Sequence, residues 1–527
     1  MNRLRTRRAS SVIALLAVLF AAQGCDQSGI FGTEYDNRPP ATHLTVGEVD
    51  LPEGTLLSSR IELSWWGSDP DGYILGYEVA VNDTSPGAWT FTRSTDSLFT
   101  LPIRPGLESD LVLVKVRAVD DDSLRDPVGA VVRLPVRNTV PSVAFNPAQR
   151  PPDTTFSVAS MGWTVADQDG LVSLSAVQIA FNDTLAPDAW TSLPLPPAED
   201  EGRMFITLLI GAGEASSGNS PNDPASIPTT TADVLYGTAL STPSQPVTVG
   251  NLRLQERNTA YLRAIDNSGA VSPVDTLSWH IRRQTSRVLL LNDDDSPLSA
   301  DREEFHVALL EENGITPDVL RVNDGSASGG AKVKLSSRFP SNPATRERML
   351  ASWDHIYWFS NNLDRNITYA QSMTGAFFDA GGTMFVAIPS KNLGSGDELF
   401  RFLPVGDVAR PEGIQNSFRI RRNTEAVGDE GSGLPPLKFP SNVLSVFPMQ
   451  AVAGARTLYT VDFWVQWVTG QVFDYTGFED LVIASAEGNL IYAAMDLTTA
   501  NGNRNMPDFI ARICVDELGF PSGGAQP

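Results

Sequence analysis

Two acidic turns are the first residues in this chain that could do chemistry. Asp69-Pro70-Asp71-Gly72 and Asp167-Gln168-Asp169-Gly170 each set two carboxylates two positions apart at the end of an apolar stretch. Asp120-Asp121-Asp122 and Asp266 could join them, and hard carboxylate oxygens are what calcium takes. The candidate cation ligands are therefore Asp69, Asp71 and Asp120 in one place, and Asp167 and Asp169 in the other. The spacing is not that of an EF-hand loop, which needs more acidic positions and a closing Glu. Asp and Gly are also ordinary turn formers, so the expectation is weak calcium binding at best and no other cofactor.

A second set follows apolar runs further along. Asn292-Asp293-Asp294-Asp295 follows Val288 to Leu291, and Asn323-Asp324 follows Val319 to Val322. Ser360 follows Ile356 to Phe359, and Ser390-Lys391 follows Met384 to Ile388. If these runs are parallel strands, their carboxyl ends gather Asn292, Asp293, Asp294, Asp324, Ser360 and Ser390 into one candidate ligand pocket. Nucleophilic catalysis there would need a Ser or Cys with a base beside it. The two cysteines are Cys25 and Cys514, and the four histidines are His43, His280, His306 and His355. No histidine lies beyond Ser390. Cys514 shares a helical face with Ile510, Ile513 and Leu518, which reads as a core thiol. Trp464 and Trp467 could stack on sugar, although burial is the commoner fate of large aromatics.

Composition narrows the classes. A net charge of −23 repels phosphates, so nucleic acid is not an expected partner. Two cysteines exclude a disulfide framework. At 527 residues the chain exceeds a single core, and three domains are expected.

The elements that must position the first set are strands. Ile61, Leu63 and Trp65 alternate with polar residues, as do Tyr77, Val79 and Val81, and Val112, Val114, Val116 and Ala118. Turn signals separate these runs, which argues for a β-sandwich over 41–138. The pattern then repeats over 139–284. Leu63-Ser64-Trp65 with its acidic turn returns as Met161-Gly162-Trp163 with its own, and Asn82-Asp83-Thr84 with Trp89 returns as Asn182-Asp183-Thr184 with Trp190. Tyr261-Leu262-Arg263-Ala264-Ile265-Asp266 answers Val116-Arg117-Ala118-Val119-Asp120. The second copy carries a longer segment between Trp190 and Val247, whose Ser, Thr, Pro and Gly from Ala215 to Thr231 predict a surface loop.

Leu63-Ser64-Trp65, Asp71-Gly72 and Ile74-x-Gly76-Tyr77-Glu78-Val79 resemble the B and C strands of a fibronectin type III domain, and Val116 to Asp120 resembles its F strand. The resemblance implies a seven-stranded sandwich that spaces or binds and carries no catalytic residues. The F strand lacks the family's Tyr, so an immunoglobulin-like relative is the alternative.

After Arg287 the period changes. Apolar strands alternate with helical stretches over 285–520, the order of a doubly wound α/β domain with a parallel sheet. Asp301 is expected to cap the first helix, with Glu304 completing a capping box. Asn505, Pro507 and Gly519 mark the ends of the last helix. Gly381-Gly382 before a buried strand, and the closing strand, loop and helix to Leu518-Gly519, resemble the class I glutamine amidotransferase-like (flavodoxin-like) fold. Active members place a cysteine in the sharp turn after that strand and a histidine downstream. Here the turn is Ile388-Pro389-Ser390-Lys391-Asn392, so the resemblance implies the fold without its catalytic residues.

The N-terminus addresses the protein. Arg3, Arg5, Arg7 and Arg8 precede an apolar run from Val12 to Ala22 that is short for a bilayer span. Ala22-Gln23-Gly24-Cys25 resembles a bacterial lipoprotein signal, with Ala22 where Leu is usual. The resemblance implies a signal peptide at 1–24, lipid attachment at Cys25, a tether over 25–40 and a membrane partner. An ordinary cleaved signal with Cys25 left as a thiol is the alternative. The tail at 521–527 is expected to be disordered. The sequence thus predicts an exported, lipid-anchored envelope protein that binds glycan or protein without catalysis. Its alternative is an envelope hydrolase or transferase with a site at the strand ends of the third domain.

Overall fold

The computed structural model describes residues 36–46, 56–104, 106–197, 201–210, 225–236, 242–243, 246–322, 339–340, 342–363, 367–390, 402–410, 415–467 and 469–522. The described residues of 1–103 and 109–137 form one compact unit, and those of 104–108 and 138–527 form the other. Cys25, the signal segment, Asp324, Lys391 and the tail from 523 lie outside the described residues.

In the first unit the strands are β1 (Ala41–Val46), β2 (Leu57–Ser58), β3 (Arg60–Ser68), β4 (Ile74–Val81), β5 (Thr90–Thr92), β6 (Asp96–Thr100), β7 (Ser109–Asp120) and β8 (Ala130–Arg137). They pair as two sheets, β1-β3-β6 and β2-β8-β7-β4-β5. Alternate residues decide which side is core: Leu63 and Trp65 on β3 face Val112, Val114, Val116 and Ala118 on β7 within one apolar cluster. This is a two-sheet β-sandwich.

The acidic turn departs from the expected chemistry at one residue. Gly72 does not take a positive φ, the usual reason for Gly in a turn. A Cβ there would lie 2.3 Å from Asp121 Oδ1 and 2.7 Å from Asp69 Oδ2. Close approach of carboxylates excludes a side chain at Gly72, whereas Gly170 in the second copy does sit at φ +93°.

The second unit opens with the repeat of this plan: β9 (Ser142–Phe145), β10 (Thr154–Thr155), β11 (Val158–Ala166), β12 (Leu174–Phe181), β13 (Thr191–Leu193), β14 (Arg203–Leu209), β15 (Ala225–Tyr236), β16 (Thr242–Pro243), β17 (Val247–Leu254), β18 (Glu256–Asp266) and β19 (Asp275–Ile281). One sheet runs β10-β19-β18-β12-β13 and the other β16-β15-β14-β11-β9, with β17 on β15. The long segment is therefore not simply a loop. Residues 225–231 open strand β15, which pairs with β14 and β17 and widens one sheet. Ala232, Val234 and Tyr236 alternate inward, which outweighs the Ser/Thr/Pro composition.

The repeated landmarks now have physical reasons. Asn82 and Asn182 take positive φ, +58° and +61°, after β4 and β12. Their Oδ1 atoms accept from Leu113 and Thr259 backbone N–H at 3.0 and 2.9 Å. The Trp89 and Trp190 indoles donate to Thr84 and Thr184 carbonyls at 3.1 and 3.2 Å, closing each turn.

From Arg287 on come β20 (Val288–Asn292), α1 (Ser299–Glu312), β21 (Asp318–Arg321), α2 (Pro343–Leu350), β22 (His355–Phe359), α3 (Gly375–Asp379) and β23 (Thr383–Ala387). Then follow β24 (Val405–Val408), β25 (Gln415–Ile420), β26 (Glu425–Gly428), β27 (Leu437–Lys438), β28 (Val443–Leu444), β29 (Met449–Ala451), β30 (Arg456–Thr460), β31 (Trp464–Trp467), β32 (Val472–Asp474), β33 (Asp480–Ala484), β34 (Leu490–Ala493) and α4 (Met506–Ile510). The main sheet is mixed. It is parallel along β21-β20-β22-β23-β34 and antiparallel onward through β33, β30 and β26. Val288 and Leu290 enter one core with Leu309, Leu310, Phe509 and Cys514, while Leu289 and Leu291 enter another with Met349, Leu350 and Trp353. Burial on both faces accounts for the unbroken apolar runs.

Two helix starts differ from expectation. Helix α1 begins at Ser299 after Leu298, with no side-chain cap, and Asp301 sits inside its first turn. There its carboxylate favours the positive end of the helix. Asn505 precedes α4 without capping it and donates to the Pro436 carbonyl at 2.7 Å.

Candidate functional site

At the carboxyl ends of the parallel strands, Asn292, Asp293, Asp294 and Ser360 lie together and are bonded to the protein itself, whereas Asp324 lies outside the described residues. The Asn292 side chain donates to Glu303 Oε2 at 2.9 Å and to Ser299 Oγ at 3.1 Å, and its Oδ1 accepts from the Asp294 N–H at 3.0 Å. Asp294, fully buried, accepts from Arg302 at 2.6 Å, and Arg302 reaches Asp496 at 2.7 Å. Burial works against the Arg302 charge, but Asp496 and Asp294 outweigh it and hold its pKa above the ordinary range. Burial likewise disfavours the Glu303 carboxylate, and Arg321 and Asn292 more than compensate. Asp293 is buried, with its backbone N–H on the Phe359 carbonyl. Ser360 Oγ donates to the Asp293 carbonyl at 2.9 Å.

Ser390 belongs to a different contact. Its Oγ donates to the Phe447 carbonyl at 2.5 Å and accepts from the Phe447 N–H at 3.0 Å. A serine bonded at both ends to one backbone residue is a staple. The Cys514 side chain is fully buried, and burial pushes its thiol well above the ordinary range. His306 is buried as well. Burial first, then the Arg302 charge, pushes its pKa down to about 3, and its Nδ1 lies 2.8 Å from the Tyr357 hydroxyl.

The acidic turns hold chain entering each sandwich. Asn37 donates to Asp120 Oδ2 at 2.8 Å and the Arg38 N–H to Asp71 Oδ2 at 3.1 Å. In the repeat, Asn138 donates to Asp266 Oδ2 at 2.5 Å and the Thr139 N–H to Asp169 Oδ2 at 2.9 Å. Asp266 also takes backbone N–H bonds from Ser268 and Ala270. One oxygen per turn, Oδ2 of Asp69 and of Asp167, is buried without a hydrogen-bond partner. Burial and the neighbouring Asp169 and Asp266 charges raise the Asp167 pKa. Among the described residues, no group of three or more His, Cys, Asp or Glu side chains is placed to hold a metal ion.

The tryptophans divide. Trp464 is half-buried under Arg421, whereas Trp467 is 42% exposed and lies against Phe473, ring centroids 5.0 Å apart. Trp467 ends a hairpin strand and stays exposed, against the burial expected of it.

Sequence reasoning missed one arrangement in each sandwich. Arg117 lies over Trp89 and Arg263 over Trp190, at 3.9 and 4.0 Å from the ring centroids. Glu78 accepts from Arg117 Nε at 2.7 Å, and Gln178 takes its place for Arg263 at 2.8 Å. The signal was present, since both tryptophans and both Arg-Ala pairs are repeat landmarks. Also missed was a cleft of about 560 Å3 in the first sandwich, lined by Trp65, Val79, Thr90, Asp96, Ser97 and Phe99 among others.

Among the described residues no helix is long and apolar enough to cross a membrane. No family model matches the chain, and no curated protein does. Partial likeness exists to solved structures. The fibronectin(III)-like modules of CbhA from Clostridium thermocellum share 13% identity over 46% of this chain and 95% of that chain, at a TM-score of 0.15. The PKD1 domain of Epp from Vibrio anguillarum shares 15% over 19% and 99%, at 0.13. The FN1–FN3 domains of chicken CNTN1 share 12% over 47% and 99%, at 0.14. The sandwich assignment rests on strand pairing.

Proposed function

We propose that this is an exported, lipid-anchored protein of the cell envelope that binds glycan or protein and carries out no catalysis. The observation that carries the non-catalytic part is the bonding at the strand ends. Asn292, Asp294, Ser360 and Ser390 are each committed to internal hydrogen bonds, so among the described residues no nucleophile–base pair is poised there. The parallel strands, covered on both faces, support an amidotransferase-like fold from 285 to 520 that has lost its chemistry. The fibronectin type III-like sandwiches support a binding or adhesion role. The Ala22-Gln23-Gly24-Cys25 box supports the anchor.

Fractionation of the full-length protein and of Cys25→Ala tests this reading. The parent is expected in the membrane pellet with a diacylglyceryl cysteine at the mature N-terminus, and the variant in the soluble fraction. Equal membrane association of both, or glutamine or ester turnover by the purified parent, overturns it.

A further inference from the structure

The cleft in the first sandwich lies where the two sheets end. Strand β5 closes one sheet and β6 the other, and among the described residues neither has a second neighbour. Each edge therefore presents backbone N–H and C=O groups with no ladder partner. Trp65 and Val79, both core residues, line the space between, and its volume is about 560 Å3. Thr90, Asp96 and Ser97 also line it, and among the described residues their side chains make no hydrogen bond or ion pair. Asp96 is the one charged lining residue.

We propose that this cleft binds an extended peptide segment that adds to a free strand edge. Its alternate side chains would be apolar, against Trp65, Val79 and Phe99, and a Lys or Arg would meet Asp96. Strand addition supplies affinity through the main chain and selectivity through every second side chain, which is what two edges beside a lining of mixed apolar and polar residues offer. The uncommitted carboxylate, in a chain of net charge −23, selects a cationic residue over an anionic one. Of the three aromatic rings that line the cleft, Phe91 is 48% exposed and is the one open to a sugar, which the cellohexaose arm below tests; the other two are engaged. Trp65 and Phe99 already pack on each other, centroids 6.1 Å apart, and Trp65 packs on Tyr77 at 6.2 Å.

The proposal rests on the reading of this chain as a binding protein, and names a partner class and a site for it. The probe is a register series of labelled octapeptides, alternating valine and threonine, with one lysine moved stepwise along the sequence. Fluorescence anisotropy against the purified full-length chain is expected to show binding for at least one register. Asp96→Lys should weaken that peptide by about tenfold or more. Ser97→Trp, which fills the cleft, should abolish binding with the melting curve unchanged. N-methylation of alternate peptide nitrogens, which keeps every side chain, should abolish it too. The proposal is overturned if no register binds, or if affinity survives Asp96→Lys. Full affinity of the N-methylated peptide, or binding of cellohexaose in place of every peptide, also overturns it. Failure here with Cys25-dependent membrane association intact removes the cleft and leaves the broader function standing.

Discussion

The Arg117 guanidinium sits 3.9 Å from the centre of the Trp89 ring, and the second sandwich repeats the contact between Arg263 and Trp190 at 4.0 Å. The two copies differ in the group that holds the arginine. Glu78 ion-pairs with both Arg117 and Arg125, at 2.6 and 3.0 Å, whereas Gln178 is neutral. The stack contributes about 0.5–1 kcal/mol at a partly exposed site. Salt screens the charged version and leaves the neutral one largely alone. Arg117→Met should therefore lower hydrogen-exchange protection in β4 and β7, by an amount that shrinks in high salt. Arg263→Met should lower protection in β12 and β18 by an amount that salt hardly changes. Equal salt dependence in the two sandwiches would show that Glu78 contributes no more than Gln178.

Local chemistry is what the sequence displayed best. Asn82 and Asn182, with the Trp that follows each, were legible as repeat landmarks, and the structure supplies the reason: a left-handed turn that the indole N–H closes. Buried runs such as Val288 to Leu291 announce a strand covered on both faces. What stayed hidden depends on residues that meet only in space. Trp65, Val79 and Asp96 lie on three strands of two sheets, so no spacing reveals their cleft. Gly72 was legible as a turn glycine but not for its true reason, since the carboxylate that excludes a Cβ belongs to Asp121 on another connection. Of the strand-end residues, Asn292 and Asp294 are held by Ser299, Glu303 and Arg302, whose roles no motif marks.

His306 makes stability pH-dependent. Its pKa in the fold is about 3, against an ordinary value of 6.5, so the unfolded chain takes up a proton where the folded chain does not. The neutral ring contributes full stability above about pH 6.5 and progressively less as the pH falls toward 3. The ring also stacks on Phe359 at 4.1 Å. His306→Phe with Tyr357→Phe keeps the packing and removes both polar groups, avoiding an orphaned hydroxyl. The difference in melting temperature between parent and double variant should change as the pH falls from 7 to 4, in favour of the variant. A constant difference across that range would mean that His306 does not titrate this way.

Calcium should shift melting little. Asp71, Asp120, Asp169 and Asp266 already accept hydrogen bonds from the entering chain or the turn backbone, and a cation would have to displace some of them. Asn138→Ala should instead destabilise the second sandwich by about 1–3 kcal/mol, because Asp266 is buried and would lose a partner. A rise of many degrees at micromolar calcium, lost in Asp71→Ala or Asp169→Ala, would reverse the assignment from clamp to cation site.

The second sandwich and the segment after Arg287 share a core. Phe156 meets Trp353 edge-on with centroids 5.2 Å apart, and Phe156 and Val158 belong to the apolar cluster that includes Leu289 and Ile356. Arg348 with Asp233, and Thr207 with Thr345 at 2.8 Å, add polar contacts across the same boundary. Phe156→Ala should cost about 3–5 kcal/mol and lower exchange protection in β11 and α2 together. Loss confined to the sandwich would show that the two parts are stabilised independently.

Ser390 is expected to matter for stability and not for turnover. Its hydroxyl donates to one backbone group of Phe447 and accepts from the other, so removing it takes a partner from an N–H and a carbonyl in a partly buried place. Ser390→Ala should therefore destabilise by about 1–3 kcal/mol. Neither Cys514 nor His306 is expected to take over, because the Cys514 thiol is buried and held protonated, and His306 is occupied with Tyr357. The purified full-length protein should release no ammonia from glutamine and hydrolyse no ester, before or after the substitution. Turnover that vanishes in Ser390→Ala while the melting curve stays in place would sink both halves of this prediction, since a staple cannot be removed without cost and a hydroxyl that donates to a backbone carbonyl has no base to take its proton.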